Sequence, residues 1–134
     1  MYQANSKKTA ILCIIDILKK HTDSEHTLTQ KQIQDMLESE YGLKLDRKAV
    51  KRNLTDLIDM GFDVGYSERT RKTKSGEDET VFSDWYITRA FDDSELRLLI
   101  DSILFSKYIP DSQCKELIEK LEKQSNKYFS AKVR

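Results

Sequence analysis

Hydrophobic residues recur at helical spacing through the first part of the chain. Ile11, Ile14, Ile15 and Leu18 share one face, widened by Leu12 and Ile17, and this spacing predicts a helix over residues 7–21. The polar run HTDSEHT, residues 21–27, interrupts the pattern with turn-forming side chains. A second helix is predicted from Thr29. Thr29 and Gln32 have the spacing of a capping box, in which each side chain satisfies the other residue's free backbone N–H. Ile33, Met36 and Leu37 supply its apolar side, and Gly42 after Tyr41 is a natural stop. Beyond the short LKL, residues 43–45, Asp46 is placed to cap a third helix. Val50, Leu54, Leu57, Ile58 and Met60 form its inner row, and Gly61 ends it.

The period then changes. FDVGYSE, residues 62–68, and VFSDWYITR, residues 81–89, alternate loosely and are rich in aromatic and β-branched residues, so both predict strands. RTRKTKSGEDET, residues 69–80, is polar throughout and is expected to be the loop of a long hairpin. Trp85 and Ile87 are expected to pack on the helices. Helical spacing returns at Asp92. DDSELRLLIDSILFSKYI opens on an acidic cap and is apolar around most of its circumference, predicting a helix over residues 92–109. Pro110, with Asp111 behind it, opens a last helix whose row is Cys114, Leu117, Ile118 and Leu121 and whose end falls near Tyr128-Phe129. The fold class that follows is mainly α with a small β-hairpin. It is a winged helix-turn-helix over residues 1–90, followed by a C-terminal helical hairpin over residues 91–134.

Length and composition narrow this only a little. At 134 residues and 38% hydrophobic content, the chain suits one domain with an appendage and has enough apolar material for a core. Lys plus Arg and Asp plus Glu number 23 each, so the net charge is zero and any polyanion partner must be argued from local clusters. Cys13 and Cys114 lie within apolar helical rows and read as reduced, buried thiols. The N-terminal MYQANSKKTA lacks the apolar core of a signal peptide, and the run from Ala10 to Leu18 is too short to span a bilayer. A cytoplasmic protein with no membrane partner is expected. His21, Asp23, Glu25 and His26 are ligand-type side chains in one turn, but such a turn is ordinarily solvated, and no metal site is assigned. Asp16 has no acidic or basic partner at a catalytic spacing, and phosphate-binding glycine loops and nucleophile motifs are absent. No catalytic residue and no cofactor are expected.

The third helix carries the most chemistry. Arg47, Lys48, Lys51 and Arg52 fall in its first two turns, with Lys44 just upstream, whereas Asp56 and Asp59 fall in its last two. The helix dipole favours the opposite order, acid first and base last. A helix whose first turns meet a polyanion has reason to accept the reversal. Lys48, Ala49, Lys51 and Arg52 are the candidates to face bases, because a recognition helix reads the major groove mainly through its N-terminal part. Lys44 and Arg47 are the phosphate candidates. Arg69, Arg71, Lys72 and Lys74 form a basic wing, opposed in total count by Glu77, Asp78 and Glu79.

The segment DRKAVKRNLTDLIDMGFDV resembles the recognition-helix region of DeoR-type winged-helix repressors. Over nearly all of residues 7–130 the chain more closely resembles the N-terminal DNA-binding region of WYL-domain transcriptional regulators, through HTLTQKQIQDMLESEYGLKLDRKAVKRNLTDLIDMGFDV, DWYITRAFDDSELRLLIDSILFSKYIP and KELIEKLEKQSNKYF. The phrase FDDSELRLLIDSILFSKYIP is similar to the helices that follow the wing in that family. The resemblance implies a bacterial, sequence-specific regulator binding double-stranded DNA. It also implies a ligand-sensing WYL domain, which the sequence to Arg134 does not include; DWYI, residues 84–87, sits in a wing strand and is not that motif.

The helix over residues 92–109 offers Leu98, Ile103, Phe105 and Ile109 beside the row Leu96, Leu99, Ile100 and Leu104. A single partner helix cannot cover both rows. A homodimer through residues 92–129 is therefore expected, with an intrachain hairpin as the simpler arrangement. The alternative function is a winged-helix protein-interaction module that does not bind DNA, which the zero net charge favours. The operator, the regulated genes, the effector and the direction of regulation are not encoded in any of these patterns.

Overall fold

The computed structural model describes residues 7–129. The chain runs through a 3-10 turn, Lys7–Thr9, and helices α1 (Ala10–His21), α2 (Gln30–Tyr41) and α3 (Arg47–Asp59). Strands β1 (Val64–Lys72) and β2 (Asp78–Ile87) follow, and then helices α4 (Asp93–Leu104) and α5 (Asp111–Glu122). This is a helix-rich fold with one two-stranded antiparallel hairpin, in the layout of a winged helix. Residues 1–6 and 130–134, which the sequence assigns to the outer ends of the two units, lie outside the described residues.

The predicted caps form. Thr29 and Gln32 make both bonds of the capping box, at 3.1 and 2.9 Å. Asp46 accepts from the Ala49 N–H at 2.8 Å. Gly42 closes α2 in the left-handed region at φ 65, which costs glycine little. Ile14, Ile17 and Leu18 from α1, Ile33 and Leu37 from α2, and Val50, Leu54 and Leu57 from α3 are fully buried in one cluster. Leu12 and Met60, expected on inner faces, are exposed instead. Cys13 is buried and free, its thiol pushed up by burial and by nearby Asp16, so it stays protonated. Asp16 is not isolated as its spacing suggested: it holds Lys20 one turn on, at 2.9 Å, and accepts from the Tyr41 hydroxyl.

The hairpin is fastened to the helices through its base. Trp85 is buried, and its backbone exchanges two bonds with Leu28, at 2.9 and 2.8 Å, so the α1–α2 connection acts as a short third strand. Ile87 is also buried, its N–H donating to Thr22 Oγ1 at 3.1 Å. The strands run further than their sequence pattern suggested. Arg69, Arg71 and Lys72 belong to β1, and only residues 73–77 turn the chain. Above Gly65, whose partner ring Tyr86 fills the space a Cβ would take, the register slips. Asp84 and Trp85 together oppose Tyr66, with Asp84 in the left-handed region at φ 58. This is a β-bulge, and Asp84 is held there by the Ser67 hydroxyl at 2.5 Å.

The C-terminal unit has its own small core of Leu96, Ile100 and Phe129, with Phe91, Ile118 and Leu121 against it. Two boundaries differ from the sequence reading. Helix α4 stops at Leu104 rather than 109, and Ser106 then accepts the Tyr108 N–H at 3.2 Å, giving the backbone a local alternative to the helix. Helix α5 stops at Glu122 rather than near Phe129. Asn126 starts a new turn by accepting from the N–H groups of Tyr128 and Phe129, at 3.0 and 3.3 Å.

That same Asn126, buried, ties the C-terminal segment to the turn that follows α1. Its amide donates to Thr22 O at 2.7 Å and to Asp23 Oδ2 at 3.1 Å. Asp23 also bonds His26 Nδ1 at 2.8 Å, and the His26 ring stacks on Tyr128 with centroids 3.6 Å apart. The HTDSEHT turn is therefore a structural joint; among the described residues no group of His, Cys, Asp and Glu is arranged to hold a metal. Burial alone would raise the Asp23 carboxyl, but bonds from Asn126, His26 and two backbone N–H groups outweigh it and hold the group below its usual range.

Two outcomes follow for the joint. Asn126→Ala should lower stability in urea by on the order of 1–3 kcal/mol, since it strands buried partners. Because the folded carboxyl of Asp23 titrates below its unfolded value, its contribution is complete above about pH 4 and is lost as pH falls through the lower folded value. Urea unfolding at pH 7 and pH 3 should show a smaller acid-induced loss in Asp23→Asn than in the parent; equal losses would remove Asp23 from the acid response.

Candidate nucleic-acid interface

Helix α3 buries Val50, Leu54 and Leu57 and leaves the other side free. At about 100° per residue, Lys48, Arg52, Thr55 and Asp59 stand opposite that buried row. All four are exposed. Arg47 and Lys51 fall on one flank and Ala49 and Asn53 on the other. Lys51 turns toward the hairpin, its ammonium 4.4 Å from the centre of the Phe82 ring. Ala49, a predicted base-side residue, is half-buried against the core, and Asn53 bonds back to Ala49 O at 2.8 Å. The outward stripe is therefore Lys48 and Arg52, with Lys51 at the corner between helix and wing.

Charge order sets α3 apart from α1, α4 and α5, although α2 shares it, with Lys31 in its first turn and Glu38 and Glu40 in its last. Basic residues end α1, acidic residues begin α4, and α5 has both, as the helix dipole favours. Helix α3 has no acid in its first turn and no base in its last. Arg47, Lys48 and Arg52 make no ion pair among the described residues, so their charges are unshared. Lys44 is exposed but lies 3.7 Å from Glu38, which partly spends its charge.

The wing is arranged differently from its composition. Alternation along β1 places Glu68, Thr70 and Lys72 on the side shared with Phe82, and Arg69 and Arg71 on the opposite side. Both arginines meet carboxylates there. Arg71 bonds Glu79 across the strands at 3.1 Å, and Arg69 lies 3.8 Å from Asp84. Lys72 faces Asp78 in the register, and Lys74 stands in the exposed turn. Arg69, Arg71, Lys72 and Lys74 thus form no single basic surface.

Sequence reasoning missed the aromatic row at the root of the wing. Trp85, Tyr66 and Phe82 run outward from the core, Tyr66 lying 5.0 Å from Trp85 and 5.2 Å from Phe82, and Lys51 closes the row. The bulge is the missing signal. Strict alternation from Trp85 would send Ser83, not Phe82, toward α3.

No family model, no curated protein and no solved structure matches the chain.

Asp46 is the one carboxylate at the N-terminal end of a helix otherwise crowded with cations there. Asp46→Ala should cost about 0.5–2 kcal/mol in urea unfolding. Asp46→Asn, which keeps the capping oxygen, should cost less than half as much; equal costs would show that charge, not the cap bond, holds this end.

Proposed function

We propose that this chain is a sequence-specific DNA-binding transcriptional regulator, with the exposed N-terminal half of α3 in the major groove. The observation that carries the reading is the reversed charge order on α3, where unpaired cations sit at the positive end of the dipole. That arrangement is unfavourable in the free protein and becomes favourable against phosphate. Lys48 and Arg52 face bases, Lys51 steadies the corner with the wing, and Arg47 and Lys44 touch backbone. The wing contributes Lys72 and Lys74 more than Arg69 and Arg71, whose charges are shared. The resemblance to the N-terminal region of WYL-domain regulators supports the same reading.

A homodimer completes the proposal. Leu98, Leu104, Phe105 and Tyr108 are 68%, 58%, 83% and 95% exposed, an apolar patch on α4 and just beyond it that no described residue covers. Ile103 and Ile109, expected in the outer row, are half-buried, and Tyr108 takes their place. Beside the patch lies a cleft of about 450 Å³ lined by Leu104, Cys114 and Ile118 and bordered by three carboxylates, Asp111, Glu119 and Glu122, and one ammonium, Lys115. Knob and cleft on one surface suit a two-fold partner, which is a second copy. Lys107, between Phe105 and Tyr108, would meet the acidic border.

The same patch favours the second reading, a winged-helix module that contacts another protein instead of DNA. Salt separates the two, because phosphate contacts weaken steeply with ionic strength and an apolar contact does not. No described helix is long and apolar enough to cross a membrane.

Duplexes selected from random DNA provide the test. Lys48→Ala with Arg52→Ala should weaken the selected site by about 1–3 kcal/mol per base contact and leave the melting temperature unchanged or slightly higher. A double variant that binds as tightly as the parent would rule out α3 as the reader. Separately, sedimentation at micromolar concentration should give a dimer mass, and Phe105→Ser with Tyr108→Ser should give a folded monomer. A monomeric parent overturns the dimer.

A further inference from the structure

The outward side of α3 limits which bases it can take, because most of its polar side chains are already occupied. Asn53 turns its amide back to Ala49 O at 2.8 Å, and Thr55 donates its hydroxyl to Lys51 O at 2.9 Å. The Lys51 ammonium lies 4.4 Å from the centre of the Phe82 ring. Arg47 is unpaired but stands on the flank, where backbone passes. Lys48 and Arg52 are exposed on the stripe itself, and their side chains make neither an ion pair nor a hydrogen bond among the described residues.

The far end of the stripe is closed to DNA by its charge. Asp59 stands there, exposed at the negative end of the helix dipole, with Asp56 nearby and also exposed. Both carboxylates repel phosphate, so the helix enters the groove by its first two turns. Base contact then falls to Lys48 and Arg52.

Two features of that pair fix its targets. Lysine and arginine side chains donate hydrogen bonds and accept none. In the major groove guanine presents two acceptors together, O6 and N7, whereas adenine sets a donor beside its acceptor, cytosine offers a donor, and thymine sets a methyl group beside its acceptor. Only guanine satisfies a side chain that can do nothing but donate. The second feature is spacing. One helical turn separates Lys48 from Arg52, about 6 Å along the axis. A base-pair step is about 3.4 Å, so the two side chains reach base pairs no more than about two steps apart.

We propose that α3 reads two guanines within about two base pairs of each other, one through Lys48 and the other through Arg52. The inference rests on the DNA-binding reading above and gives that reading its base content.

Sites selected by the full chain from random duplexes should carry two G·C pairs within that span, on either strand. The test is then made guanine by guanine with 7-deazaguanine, which keeps its pairing with cytosine but carries C–H in place of N7. In the parent, either replacement should weaken binding about tenfold. Lys48→Ala should become indifferent to replacement at one guanine and Arg52→Ala at the other, with melting temperatures close to the parent's. Arg52→Gln should move the preference at its own position from guanine to adenine, whose N7 and N6 suit an amide. A phosphate contact or a structural role would not produce that switch. Variants indifferent at both guanines or at neither overturn the assignment. So does a selected site that depends on Lys48 and Arg52 yet lacks the guanine pair, and in that case the DNA-binding reading stands. Selection that enriches no sequence removes both.

Discussion

Everything that projects from the helical core of this protein depends on how Trp85 is seated. A two-stranded hairpin is not stable alone in water, so its position must come from its base. Here the indole is buried, the backbone on either side of it pairs with Leu28, and Ile87 two residues on is bonded to Thr22. The indole N–H is buried without an acceptor among the described residues, a polar cost that the burial of so large a ring outweighs. From this seat Tyr66 and Phe82 extend toward α3, and Lys51 is drawn to them. Helix and wing are thereby set at one angle by packing before any partner arrives.

Zero net charge conceals a sorted distribution. On the wing, cations and carboxylates face one another across the strands, and such exposed pairs contribute little to stability. Around the hollow between the end of α1 and the turn after α5, lysines gather where two helices end. On α3 the cations stand unpaired at the end of the helix that least favours them. Pairing status, more than the number of basic residues, distinguishes α3 from the wing. It makes α3 the surface with most to gain from a polyanion.

The sequence disclosed those parts of the fold that rest on local chemistry. Thr29 with Gln32, Asp46 and Gly42 mark helix ends because each satisfies its own backbone neighbours, and the apolar rows of α1, α2 and α3 mark their faces. The outer half of the hairpin was not legible. Arg69–Lys72 and Asp78–Thr80 are exposed throughout, and only the ladder between them makes them strands. The early ends of α4 and α5 were hidden for a related reason. Ser106 and Asn126 capture backbone groups with their side chains, which leaves no trace in an apolar period. Sequence placed the third helix and its buried row but could not rank the cations on it, since the ring under Lys51 arrives from a strand whose phase it could not predict.

That phase is decided by one residue. Asp84 adopts a backbone conformation that few side chains tolerate, and by occupying an extra place in β2 it advances every residue beyond it by half a pleat. Were Asp84 to take an ordinary place in the ladder instead of the bulge, Ser83, Val81 and Glu79 would look toward α3, and Phe82 would look away. The wing would keep its composition, length and charge and lose its fit to the helix. A change of pairing invisible to any tally of residues would therefore reverse the two sides of the wing, and the left-handed conformation of a single aspartate is what keeps them in place.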